Sequence, residues 1–77
     1  MSPRLLKAEV LDNYIFQLTF TNGEQGKFDL KPFLNTGKFK QLYDINNLRR
    51  FYLDDGVITW YNGLDISPDT IYQLKYN

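Results

Sequence analysis

Apolar and polar positions alternate most cleanly over "YIFQLTF", with Tyr14, Phe16, Leu18 and Phe20 on one side and Ile15, Gln17 and Thr19 on the other. A period of two marks a half-buried strand, because successive side chains leave opposite faces of the pleat. Upstream, "RLLKAEVL" (Arg4 to Leu11) also alternates, setting Leu6, Ala8 and Val10 against Lys7 and Glu9. Asp12 and Asn13 predict the turn between these two strands. Downstream, Asn22-Gly23 is a hairpin dipeptide whose two positions favour positive φ, and "EQGKFDL" (Glu24 to Leu30) returns as a third strand.

Beyond Leu30 the period changes. Pro32 removes a backbone donor, and Phe33, Leu34, Phe39, Leu42 and Tyr43 are spaced more like a helical stripe than a strand. "KPFLN" therefore predicts a helical turn and "GKFKQLYD" a short helix. Alternation resumes in "RRFYLDDGVITWYNG", a second hairpin turning at Asp55-Gly56, with Phe51, Leu53, Val57, Ile58 and Trp60 as its apolar residues. In "SPDTIYQL", Ser67 supplies an N-cap, Pro68 a preset φ and Asp69 a first-turn charge, so a helix begins there and buries Ile71 and Leu74. Tyr72 and Tyr76 are expected along the sheet edge. The predicted fold is α+β, a small two-layer domain with an antiparallel meander sheet, order β-β-β-α-β-β-α, and helices packed on one face. Neither an internal repeat nor a linker interrupts the pattern, so residues 1–77 read as a single domain.

At 77 residues the chain is near the size where only about 60% of the extended surface is buried. An apolar share of 43%, with 17% aromatic, is high enough to argue against disorder. Self-association into a homodimer would hide further apolar surface. The absence of cysteine removes disulfides, thiol catalysis and thiolate metal sites, and with no secretory leader in "MSPRLLKAEV" it points to the cytoplasm. The absence of histidine removes the commonest general base and metal ligand, and with it serine-histidine and cysteine-histidine mechanisms. Nine basic residues balance nine acidic ones, so no global field draws in nucleic acid or an anionic membrane. No apolar run approaches the roughly 20 residues that span a bilayer.

The stretch "WYNGLDISPDTIY", Trp60 to Tyr72, combines aspartate and asparagine side chains, tight-turn residues and aromatic or β-branched anchors in one short segment. Asp54, Asp55, Asp65 and Asp69, with Asn62, are candidates for a carboxylate site, catalytic or metal-binding, but their spacing is not the every-second-residue pattern of a calcium loop. A structural role accounts for each member of the motif. Trp60 packs inward from a strand, Asn62-Gly63 turns, Asp65 accepts from nearby backbone donors, and Ser67, Pro68 and Asp69 start a helix. No catalytic, metal or cofactor site is expected. The basic pairs Lys38 with Lys40 and Arg49 with Arg50, set beside aromatics, form the alternative of a nucleic-acid-binding face, which neighbouring Asp29, Asp44 and Asp54 offset.

The segments "LTFTNGEQGKFDLKPFL" (Leu18 to Leu34), "GKFKQLYD" and above all "ITWYNGLDISPDTIY" resemble the short bacterial proteins of the domain of unknown function 2442 family, over nearly the whole chain. The resemblance implies an α+β domain with a meander sheet and no established catalytic activity. It also implies a setting in two-gene bacterial arrangements, often beside a small protein of the domain of unknown function 4160 type. Some relatives carry a helix-turn-helix extension that this chain, ending at Asn77, is expected to lack.

The expectation is a bacterial, cytoplasmic, non-enzymatic domain for protein-protein interaction or regulation, one half of a toxin-antitoxin-like gene pair. The partner would be a small protein, the product of an adjacent gene, with nucleic acid disfavoured and no membrane association. Tyrosine suits an interface because it combines apolar area with a hydrogen-bonding tip, so Tyr61, Tyr72 and Tyr76 are the candidate contacts, with Arg49 and Arg50 as polar ones. The alternatives are a carboxylate-based metal-dependent enzyme and a nucleic-acid-binding module.

Overall fold

In a computed structural model describing residues 2–77, the strands β1 (Leu5–Val10), β2 (Ile15–Phe20) and β3 (Gln25–Asp29) pair antiparallel in the order β1-β2-β3. Phe16, Leu18 and Phe20 of the central strand are fully buried, and Ile15, Gln17 and Thr19 are half-buried on the other face. The period-two reading therefore holds from Ile15 onward. Tyr14 departs from it. Asn13 and Tyr14 both have φ of 62°, and Ile15 N–H donates to the Asp12 carbonyl at 3.3 Å, making a two-residue turn of the type that twists with its strands. The Tyr14 hydroxyl instead donates to the Tyr43 carbonyl at 2.6 Å, tying this turn to the helical segment.

A β-bulge corrects a second expectation. Leu5 pairs with Phe20 and Lys7 with Thr19, leaving Leu6 unpaired between them. The extra residue inverts the alternation, so Leu5 joins Ala8 and Val10 on the core side while Leu6 stands 66% exposed.

After β3, Leu30 is buried and the chain enters two stretches of 3-10 helix, Lys31–Phe33 and Gly37–Tyr43, where the pattern had predicted a helical turn and a short helix. A single α-turn, α1 (Ile45–Leu48), follows, with the Asp44 carboxylate accepting from Asn46 N–H at 2.9 Å. Leu34, Leu42 and Leu48 carry this region into the core, whereas Tyr43 is exposed.

The remaining strands, β4 (Phe51–Asp54), β5 (Val57–Trp60) and the short β6 (Asp65–Ile66), form a second three-stranded antiparallel sheet. The strands thus divide between two meanders, and β6 adds to the predicted order. The division exposes an internal repeat that residue patterning alone had not revealed. Each meander has a two-residue turn with both φ positive, Asn13-Tyr14 in one and Asp55-Gly56 in the other. Each then turns through Asn-Gly, with φ of 89° at Gly23 and 91° at Gly63, while Asn22 and Asn62 stay at negative φ. Both Asn-Gly loops close by a glycine N–H donating to the carbonyl three residues back, at 3.0 Å, and are therefore type I turns ending in a left-handed glycine. "LTFTNG" matches "ITWYNG", and "DLKP", which begins at the end of β3, matches "DISP", which begins with β6.

The last helix, α2 (Pro68–Leu74), starts as predicted, the Ser67 hydroxyl accepting from Asp69 N–H at 3.1 Å and Thr70 N–H at 3.4 Å. Ile71 is fully buried. Leu74, expected in the core, is exposed. Beyond α2 the Tyr76 backbone pairs with Lys27 on the edge of β3, exchanging hydrogen bonds of 2.7 and 2.9 Å.

The two sheets meet where Leu5 N–H donates to the Gly56 carbonyl at 3.1 Å and an Arg4 guanidinium nitrogen donates to the Asp55 carbonyl at 2.9 Å. Trp60 fills the space between them. Its ring lies edge-on to Phe16 and Phe39, at 6.3 and 6.4 Å, and its indole N–H is spent on the Leu48 carbonyl at 3.0 Å. One core draws on both sheets and all the helical segments, and no side-chain polar atom buried in it lacks a partner among the described residues.

Candidate functional site

The second Asn-Gly turn places Tyr61 outside the sheet, 77% exposed, because Trp60 before it points inward. Tyr52 lies next to it. Register sets Tyr52 opposite Thr59, so Tyr61 is a diagonal cross-strand neighbour, and the two rings sit 5.0 Å apart. Beside this pair opens a cleft of about 280 Å³. Its floor is Trp60 and Leu42, both buried; its walls are Tyr61, Asn62, Gln41, Asn47 and Arg50.

Side-chain amides hold the walls. Asn62 donates from Nδ2 to Gln41 Oε1 at 2.9 Å and accepts on Oδ1 from Leu64 N–H at 3.2 Å, so its orientation follows from the turn. Asn47 donates from Nδ2 to the Gln41 carbonyl at 3.1 Å. The cleft is therefore assembled from the 3-10 segment and α1, which follow one another in the chain, and from the β5-β6 turn, which is distant from both in sequence.

Of the five expected contact residues, Tyr61 and Arg50 come together here. Arg49 is exposed at the end of α1 and does not line the cleft. Tyr72 and Tyr76 belong to a different neighbourhood, by the first Asn-Gly turn and the edge of β3. The Tyr72 ring is half-buried edge-on to Phe20 at 5.2 Å, with the Lys75 ammonium 5.1 Å from its centre. Hydrogen bonding between the Tyr72 hydroxyl and the Glu24 carboxylate holds the Glu24 carboxyl below its ordinary range and pushes the Tyr72 phenol up.

The acidic candidates are dispersed. Asp55 faces Arg4 at 3.8 Å across the junction of the sheets, Asp69 accepts from Ser2 N–H at 3.3 Å, and Asp54 and Asp65 are exposed strand residues. Among the described residues no group of three or more His, Cys, Asp or Glu side chains comes within reach of a common ion. Lys38 and Lys40 are exposed on the 3-10 segment and do not line the cleft beside Arg50. Among the described residues no helix is long and apolar enough to cross a membrane.

Patterning had missed Gln41, Asn47 and Tyr52. Tyr52 was legible, since the Asp55-Gly56 turn fixes the register of β4 against β5 and alternation puts Tyr52 opposite in direction to Phe51 and Leu53. The two amides carried no such signal, because they act through partners on other elements.

The family model described as "Protein of unknown function (DUF2442)" matches residues 5–77, essentially the whole chain. No curated protein and no solved structure matches it.

Proposed function

Because the chain belongs to the DUF2442 family, and because of what stands on its surface, we propose that it is a non-enzymatic interaction module from a bacterial cytoplasm that binds a small protein encoded beside it. The observation that carries this reading is the exposed Tyr52-Tyr61 pair next to Arg50. Tyrosine and arginine are enriched where binding energy concentrates, since they bring large area, few rotatable bonds and directed donors. In a chain of zero formal charge, attraction has to come from such a local patch and not from a long-range field. The family resemblance to two-gene arrangements supports an antitoxin-like or regulatory role for the complex.

The test is to co-express the tagged chain with the product of the adjacent gene and measure the mass of the purified species by light scattering. A one-to-one complex is expected, and Tyr61→Ala should dissociate it while leaving the melting temperature almost unchanged, because a mostly exposed side chain contributes within about 0.5 kcal/mol to folding. A complex equally tight with Tyr61→Ala and Tyr52→Ala would remove this surface from the interaction.

A further inference from the structure

The hydrogen-bonding groups of the cleft are unequally used. Asn62 has both ends of its amide engaged within the chain, and the Trp60 indole N–H is committed to Leu48. Among the described residues, Arg50 enters no ion pair and its guanidinium donates no hydrogen bond, and Gln41 Nε2 donates none. The Asn47 amide oxygen and the Tyr61 hydroxyl also lack partners, so one acceptor and one group of either kind stand against many donors. Among the described residues no carboxylate lines the cleft, and the one charged side chain that does, Arg50, is positive.

From this imbalance we propose that the cleft captures a carboxylate carried on a partner polypeptide, either a chain end or an acidic side chain. The inference rests on the interaction reading above and names the chemistry of the contact. The Arg50 guanidinium is a planar fork that pairs with a carboxylate through two parallel hydrogen bonds, and Gln41 Nε2, aimed by Asn62, supplies a further donor. The apolar floor of Trp60 and Leu42 and the Tyr61 ring receive the stem that bears the charge. Size agrees. About 280 Å³ lies just under the roughly 300–1,000 Å³ that encloses a small-molecule ligand, and it accommodates one residue's worth of a peptide. Since the site is open to solvent, a single carboxylate binds weakly and adds selectivity to an interface already anchored by the tyrosines.

The experiment is a titration of the isotope-labelled full chain, followed by backbone and side-chain amide resonances, with four acetylated tripeptides. Gly-Gly-Phe with a free carboxyl terminus is compared with its terminal amide, and Gly-Glu-Gly amide with Gly-Gln-Gly amide; inorganic phosphate is a fifth probe. The expected result is movement of the Gln41, Asn47, Arg50, Tyr61 and Asn62 signals with one or both carboxylate peptides and not with their neutral counterparts. Which peptide acts distinguishes a chain end from a side chain. Arg50→Gln should weaken binding by about tenfold or more and Arg50→Lys by less, with unchanged melting temperatures because Arg50 is exposed. Equal shifts from the neutral peptides, tighter binding of phosphate, or no movement at these residues would overturn the proposal. If the co-expressed complex forms and resists Arg50→Gln while the peptides do not bind, the interaction reading survives and this inference fails. If the carboxylate peptides bind the cleft but no complex forms, the inference holds and that reading fails.

Discussion

Gly56 sits where the two sheets touch, so replacing it with alanine tests how they are joined. Its φ of +78° is a region that costs a residue with a Cβ about 1–2 kcal/mol. An alanine methyl there would also lie 2.6 Å from Arg4 Cβ and 3.1 Å from the Leu5 carbonyl oxygen, too close for either to stay in place. Relief requires β1 to move away from the β4-β5 turn, which weakens the Leu5 N–H to Gly56 carbonyl bond and the Arg4 bond to the Asp55 carbonyl. Two hydrogen bonds at about 1 kcal/mol each, added to the backbone term, put the loss at about 3–4 kcal/mol. Gly63→Ala is the internal control. Its φ is +91°, but nothing lies within 4 Å of the added carbon, so only the 1–2 kcal/mol of backbone strain applies. For 77 residues the unfolding entropy is about 0.16 kcal/mol/K, so each kcal/mol lowers the melting temperature by about 6 °C. Thermal melts and urea titrations followed by circular dichroism should show Gly56→Ala falling roughly twice as far as Gly63→Ala. Equal losses would refute the reasoning, because they would mean that the contact between the sheets yields at no cost.

Three further substitutions probe other parts of the structure. Trp60→Phe removes the indole donor and strands the Leu48 carbonyl in the core, so urea denaturation should show a loss of about 1–3 kcal/mol. Ser67→Ala deletes the cap of α2 and should cost about 1 kcal/mol by the same measurement, with Ser67→Asp restoring most of it. Tyr72→Phe should raise the Glu24 carboxyl toward its ordinary value, read from the carboxyl carbon shift against pH, because the phenol's hydrogen bond is the main force holding it down. The linked stability is present above the ordinary glutamate range and disappears as pH falls through the lowered folded value. On the alkaline side the Tyr72 contribution is present below its ordinary value near 10.0 and is lost as pH rises through the raised one. Flattening of both limbs in Tyr72→Phe is the expected outcome, and an unchanged Glu24 titration would show that the pair does not interact.

What the chain encodes locally could be read without coordinates. Alternation from Ile15 to Phe20 marks the central strand because burial of one face imposes a period of two. Asp55-Gly56 and Ser67-Pro68-Asp69 name their own geometry, since left-handed backbone and helix capping depend on a few adjacent residues. The order of elements and the α+β class follow from those signals in sequence. Their limits lie at places where a residue's fate depends on a distant one. Leu5 and Leu6 are the same amino acid, and only pairing of β1 with Phe20 and Thr19 across a bulge decides which is buried and which is exposed. Tyr14 looks like a strand residue, yet the Tyr43 carbonyl and the close turn hold it in the left-handed region. Asn-Gly would suit a two-residue hairpin turn, and instead both copies adopt a longer loop set by the strands on either side. Division into two sheets, and the meeting of Gln41, Asn47, Arg50, Tyr61 and Asn62 around one cleft, are tertiary decisions for the same reason. Local pattern specifies which face of an element is apolar, while packing around Trp60 specifies which faces meet, and only that meeting brings the cleft's polar groups together.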